Sequence, residues 1–150
     1  MSAIQEDYIL RMIQMMGELL IAAMHLKESG KVSEADQALD KILGTILPSQ
    51  ADLIEMVDVE TAYRLLGESR LVESYIDLLL EKAELKYVLG ESYVGQVLVR
   101  QTVEFFIIYV TKNRKLSPKG NLLCGRLSGL DLQKTLSSKD FIQFEDLKKR

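Results

Sequence analysis

The chain has one cysteine, Cys124, one histidine, His25, and two prolines among 150 residues. A lone cysteine excludes an intrachain disulfide and fits a reducing compartment. With so few soft ligands, no Cys-His-carboxylate cluster has metal-ligand spacing, so neither a metal nor another cofactor is expected. The scarcity of proline, against abundant Leu, Ile, Met, Ala, Glu and Lys, is the balance of a helical chain. The net charge of −3 supplies no long-range attraction for nucleic acid or an acidic membrane. The amino terminus carries Glu6 and Asp7 rather than a basic leader, and polar residues interrupt the apolar stretches before they reach membrane-spanning length. These absences lead to the expectation of a cytoplasmic protein with no membrane contact.

Nearly half the residues are apolar, 47%, enough for a single core across 1–150. A faint repeat organises it. Leu19, Leu20, Ala23, Gly30, Ala35 and Leu39 recur sixty positions later as Leu79, Leu80, Ala83, Gly90, Gly95 and Val99. Each copy reads as two helices joined at a glycine turn, with small residues where their backbones approach. The first helix, Ile4 to Lys27, bears two apolar stripes: Tyr8, Met12, Met15, Leu19, Ala22 and Leu26, and beside them Ile9, Ile13, Met16, Leu20 and Ala23. Two stripes demand cover on both, within the fold or across a subunit boundary.

A second helix is expected over Glu34 to Leu47, opened by a Ser33–Asp36 capping box and stopped by Pro48. Two short helices follow, Ala51 to Val57 and Val59 to Leu66, with Asp58 capping the latter. The second hairpin pairs Ser69–Leu89 with Ser92–Thr111, completing a hairpin array over 1–112. The β-branched and aromatic run Val103 to Val110 is assigned to helix because Leu98 and Val94 continue it at helical spacing. Residues 113–121, with Ser117, Pro118 and Gly120, read as a loop, and 122–150 as C-terminal helices, Leu122–Leu136 and Ser137–Arg150.

The matched residues resemble the tetratricopeptide repeat. Its large and small positions fall on Leu19, Ala22, Ala23 and Leu26, its turn on Gly30, and its second helix on Ala35, Leu39 and Ile42. In the second copy Lys82 and Lys86 stand where the first has Ala22 and Leu26. The helix beginning Gln5-Glu6-Asp7-Tyr8-Ile9 is also similar to small uncharacterised bacterial proteins with tetratricopeptide-like helices. The resemblance implies an all-α fold of antiparallel helical hairpins in a right-handed stack, and protein contacts rather than a reaction.

Candidate chemistry is sparse. His25 would serve an enzyme only if tyrosines and carboxylates converged on it, and its place near a helix end has the simpler explanation of the helix dipole. Asp77, Glu81 and Glu84 read as a solvated helix face. A basic stretch of Lys112, Arg114, Lys115, Lys119 and Arg126 is free of acidic residues and offers an alternative site for nucleic acid or an acidic ligand. The expected function is a non-catalytic protein-interaction or assembly module. Its groove is lined by Tyr75, Lys82, Lys86 and Tyr87, and its partner is an unidentified protein or peptide, or a second copy of the chain.

Overall fold

The computed structural model describes residues 3–113, 115–130 and 138–148, and these are all-helical, with no strand among them. Eight helices follow in order: α1 (Ala3–Glu28), α2 (Val32–Ile46), α3 (Ala51–Met56), α4 (Val59–Leu66), α5 (Ser69–Val88), α6 (Ser92–Lys112), α7 (Pro118–Ser128) and α8 (Ser138–Lys148).

The sixty-residue offset is visible in backbone detail. Gly30 and Gly90 sit at φ of +81° and +82°, the left-handed conformation that glycine adopts without steric cost. In the first turn the Gly30 N–H donates to the Lys27 carbonyl at 3.0 Å and Lys31 to Leu26 at 2.9 Å. In the second, Gly90 donates to Tyr87 at 3.1 Å and Glu91 to Lys86 at 2.8 Å. Both are Schellman turns, in which the chain reverses while the last helical carbonyls stay bonded. A Cβ at either glycine would meet nothing within 4 Å, so the cost of a side chain lies in the backbone alone. Gly30→Ala and Gly90→Ala are therefore each expected to destabilise by about 1–2 kcal/mol, the penalty of an alanine in the left-handed region. Urea midpoints of the two variants should shift alike; a shift several times larger in one than the other would show that the turns are not equivalent.

The two hairpins, α1–α2 and α5–α6, meet along α5, which packs against α1, α2, α6 and α7. Its position explains its composition: Leu71, Val72, Ile76, Leu79, Leu80 and Ala83 are buried on successive faces. The run Val103–Val110 is helical, and this half of α6 buries apolar side chains on opposite faces because it has neighbours on both sides, while Gln96, Arg100 and Gln101 form an exposed polar stripe. Phe105 meets the Tyr75 ring edge-on at 5.1 Å, whereas Phe106 meets Phe144 of α8 at 6.1 Å. The apolar excess of α6 is thus covered by the terminal helix of the same chain.

Several expectations need correction. The Ser33–Asp36 capping box does not form: α2 starts two residues earlier, at Val32, no side chain caps it, and Asp36 turns inward to Lys86. Residues 113–121 are not one loop, because Ser117 accepts the Gly120 N–H and Pro118 occupies the first turn of α7. Gly129 ends α7 at Ser128, and the expected continuation to Leu136 falls outside the described residues, as does Ser137. The Asp58 cap, by contrast, is present, accepting from the Thr61 N–H at 2.7 Å. The first helix is longer and more continuously apolar than its polar interruptions suggested: by length and composition α1 is sufficient to cross a membrane.

Candidate functional site

Between the two hairpins lies an open cleft of about 260 Å³. Its floor is apolar, built from Leu39 and Leu43 of α2, Leu78 and Leu79 of α5, and Leu98 and Phe105 of α6. The irregular segment that interrupts the repeat supplies a wall, through Ile54 and Glu55 of α3 and Val59 and Ala62 of α4. At the rim, the Lys82 Nζ lies 3.1 Å from Asp40, with Glu55 and Gln101 nearby on the lining. Tyr75 is buried, but its side chain lines the cleft, and its hydroxyl is pushed up to about 12 by burial first and then by the Glu55 charge. The phenol therefore stays protonated at neutral pH and serves as a hydrogen-bonding group. Apolar floor and a few polar rim groups form an arrangement suited to binding a side chain with a polar end.

Of the four groove residues expected from sequence, the structure brings together only two, Tyr75 and Lys82. Tyr75 is a buried wall residue rather than an exposed one, because its ring is held by Phe105. Lys86 leaves the cleft: its Nζ donates to Asp36 at 2.7 Å and lies 3.4 Å from Glu91. Tyr87 lies on the backbone of α6, where a Cβ at Gly95 would come within 2.9 Å of its ring. That close approach is the reason for a glycine in the second copy where the first has Ala35. The missed lining residues, Asp40, Glu55 and Gln101, come from three different helices. One signal pointed to Asp40: Asp36 and Asp40 share the spacing of Lys82 and Lys86, so two acids on α2 match two cations on α5.

The basic stretch is dispersed. Arg126 donates to Asp77 at 2.7 Å, to Glu81 at 2.9 Å and to Glu84 at 3.2 Å. Lys119 lies 3.7 Å from Asp77, and Lys112 lies over the Tyr63 ring at 5.7 Å. Lys115 lines a separate hollow beside α8, and Arg114 falls outside the described residues. The face Asp77, Glu81 and Glu84 is accordingly not simply solvated: it grips α7, and Lys27 of α1 reaches Glu84 at 3.3 Å from the other side. Burial holds the Glu81 carboxyl above the usual range, with Glu84 and Asp77 adding to the effect and Arg126 opposing it.

His25 is exposed in the last turn of α1; its carbonyl accepts from the Ser29 N–H at 3.0 Å, and its imidazole makes no hydrogen bond among the described residues. Cys124 is half-buried beside Lys115 and Leu147, with the neighbouring Arg126 committed to α5. Among the described residues no group of three or more His, Cys, Asp or Glu side chains is placed to hold a metal ion. No family model, no curated protein and no solved structure matches the chain.

Proposed function

We propose that this chain is a non-catalytic protein-interaction module of tetratricopeptide-like stacked hairpins, which holds a short peptide segment in the cleft between them. The observation that carries the reading is the cleft itself: an apolar floor shared by both hairpins, walled by the inserted α3 and α4, with Lys82, Asp40, Glu55 and Gln101 at the edge. The stacking supports it. The second hairpin packs its first helix, α5, against both helices of the hairpin before it, so the junction is a seam two helices wide.

The chemistry of the rim selects the partner. A peptide carboxylate can displace Asp40 from Lys82, the Tyr75 hydroxyl can donate to a carbonyl, and Gln101 can bond to peptide groups of either polarity. The test is selection from a random-peptide display library on the full chain, followed by calorimetry with the selected peptide. Lys82→Ala is expected to weaken binding about tenfold, equivalent to about 1.4 kcal/mol, while Lys119→Ala leaves it unchanged. A library that yields no binder, or a binder indifferent to Lys82→Ala, would reject the cleft as the site.

A further inference from the structure

We infer that α1 is a self-association surface: two copies of the chain pair through antiparallel contact of their first helices. The internal repeat identifies the open face. The face of α5 bearing Glu73, Asp77, Glu81 and Glu84 is covered by α7, which docks on it through Ser117 and Arg126. Sixty positions earlier the same face of α1 carries Ile13, Gly17, Ile21 and Met24, with Ile21 57% and Met24 39% exposed. On the other flank, Lys82 and Lys86 of α5 pair with Asp40 and Asp36 of the preceding hairpin. Their counterparts on α1 are Ala22, which is exposed, and Leu26, which is partly buried against the core; they share a stripe with Tyr8 and Met15, which are 57% and 44% exposed. The departures from the repeat thus follow position in the stack: on these flanks α5 has a charged fit to a neighbour within the chain, whereas α1, whose inner face packs on α2 and α5, leaves apolar side chains exposed on its outer face.

The occupant follows from which ends are open. At the far end α7 covers α5 and α8 covers α6, with Phe144 fully buried, so a second copy cannot add there without displacing its own helices. Head-to-tail growth is blocked, and a surface present once per molecule closes with its own copy about a two-fold axis. The charges on α1 fit that symmetry. Arg11 and Glu18 lie two helical turns apart on one exposed ridge bordering Tyr8, Met15 and Ala22. Arg11 has no ion pair among the described residues, and Glu18 accepts only a 3.2 Å hydrogen bond from Gln14 of its own helix. An axis passing near Gln14 and Met15 sets each Arg11 opposite the Glu18 of the other copy, while the Met15 side chains of the two copies meet beside the axis. A parallel arrangement would place like charges side by side.

The surface is separate from the cleft, so either can fail alone. The experiment measures the mass of the full chain in solution by sedimentation equilibrium between about 1 and 100 μM, a span over which weak self-association becomes visible. A dimer is expected, with Arg11→Glu and Glu18→Arg each weakening it at least tenfold and the double exchange Arg11→Glu/Glu18→Arg restoring it. Lys82→Ala should leave the mass unaltered. Circular dichroism of each variant checks that these exposed substitutions leave the fold intact. A monomer at 100 μM, a dimer insensitive to the single charge reversals, or a double exchange that fails to restore it would overturn the proposal. So would retention of the wild-type chain on phosphatidylcholine vesicles in place of self-association, which would assign the apolar face of α1 to lipid.

Discussion

Tyr109→Phe is expected to lower the unfolding free energy by about 2 kcal/mol, and Glu73→Ala by about 3 kcal/mol, although neither residue lines the cleft. Both residues are buried, at 2% and 5% exposure, and the Tyr109 hydroxyl donates to Glu73 at 2.6 Å. Ser117 donates to the same carboxylate while accepting the Gly120 N–H, so one acidic side chain on α5 holds α6 and the start of α7 together. A Cβ at Gly120 would come within 2.7 Å of the Tyr109 hydroxyl, and glycine is what leaves room for it. The Tyr109 hydroxyl is pushed up to about 12, by burial first and then by its bond to Glu73. Removing the phenol leaves a buried carboxylate with one donor; removing the carboxylate leaves the Tyr109 and Ser117 hydroxyl protons without their acceptor, and a gap. The pair Glu73→Leu and Tyr109→Phe should together cost less than their sum, because an apolar replacement of both partners removes the unmet demand. Urea unfolding of the two singles and the double reads this directly. Additive losses each below about 0.5 kcal/mol would mean that water satisfies the carboxylate and that α7 is held by other contacts.

This network shows where sequence reading reaches its limit. The glycine turns, the helix periods and the Asp58 cap are local, set by residues within one or two turns of each other, and they were legible. Glu73 and Tyr109 are 36 residues apart and belong to different helices, and no spacing rule joins them. The docking of α8 was half legible: Phe141, Phe144 and Leu147 marked an apolar face, but which helix it covers depends on Phe106 being left open by every other neighbour. The cleft was legible through Tyr75 and Lys82 alone. Helix geometry explains the failures, since Tyr87 lies about 100° around the helix from Lys86 and turns to Gly95 instead of the seam. Its walls were invisible because α3 and α4 look like an interruption until the hairpins close around them.

Lys86→Ala is expected to destabilise the chain by about 2–3 kcal/mol, whereas Asp36→Ala costs about 1 kcal/mol or less, although the two remove the same ion pair. The asymmetry follows from what each leaves behind. Asp36 is 9% exposed, its Oδ2 accepts from Lys86 at 2.7 Å, and its Oδ1 is buried with no partner at all. Without Lys86 the carboxylate is a buried charge with nothing to offset its desolvation. Lys86 without Asp36 keeps Glu91, 3.4 Å away and half exposed, and its long side chain can carry the ammonium outward to water. The hydrogen bond to Asp36 holds the Lys86 ammonium above its usual range, so the cation persists through neutral pH and the carboxylate depends on it. A replacement of both, Asp36→Leu with Lys86→Met, should recover most of the loss, because the pair fixes the register of α2 on α5 more than it adds net stability. Chemical denaturation of the three variants tests the ordering. Equal losses from the two single substitutions would show that water reaches Asp36 as readily as it reaches Lys86, and that the seam between the hairpins rests on Leu39, Leu79 and their apolar neighbours alone.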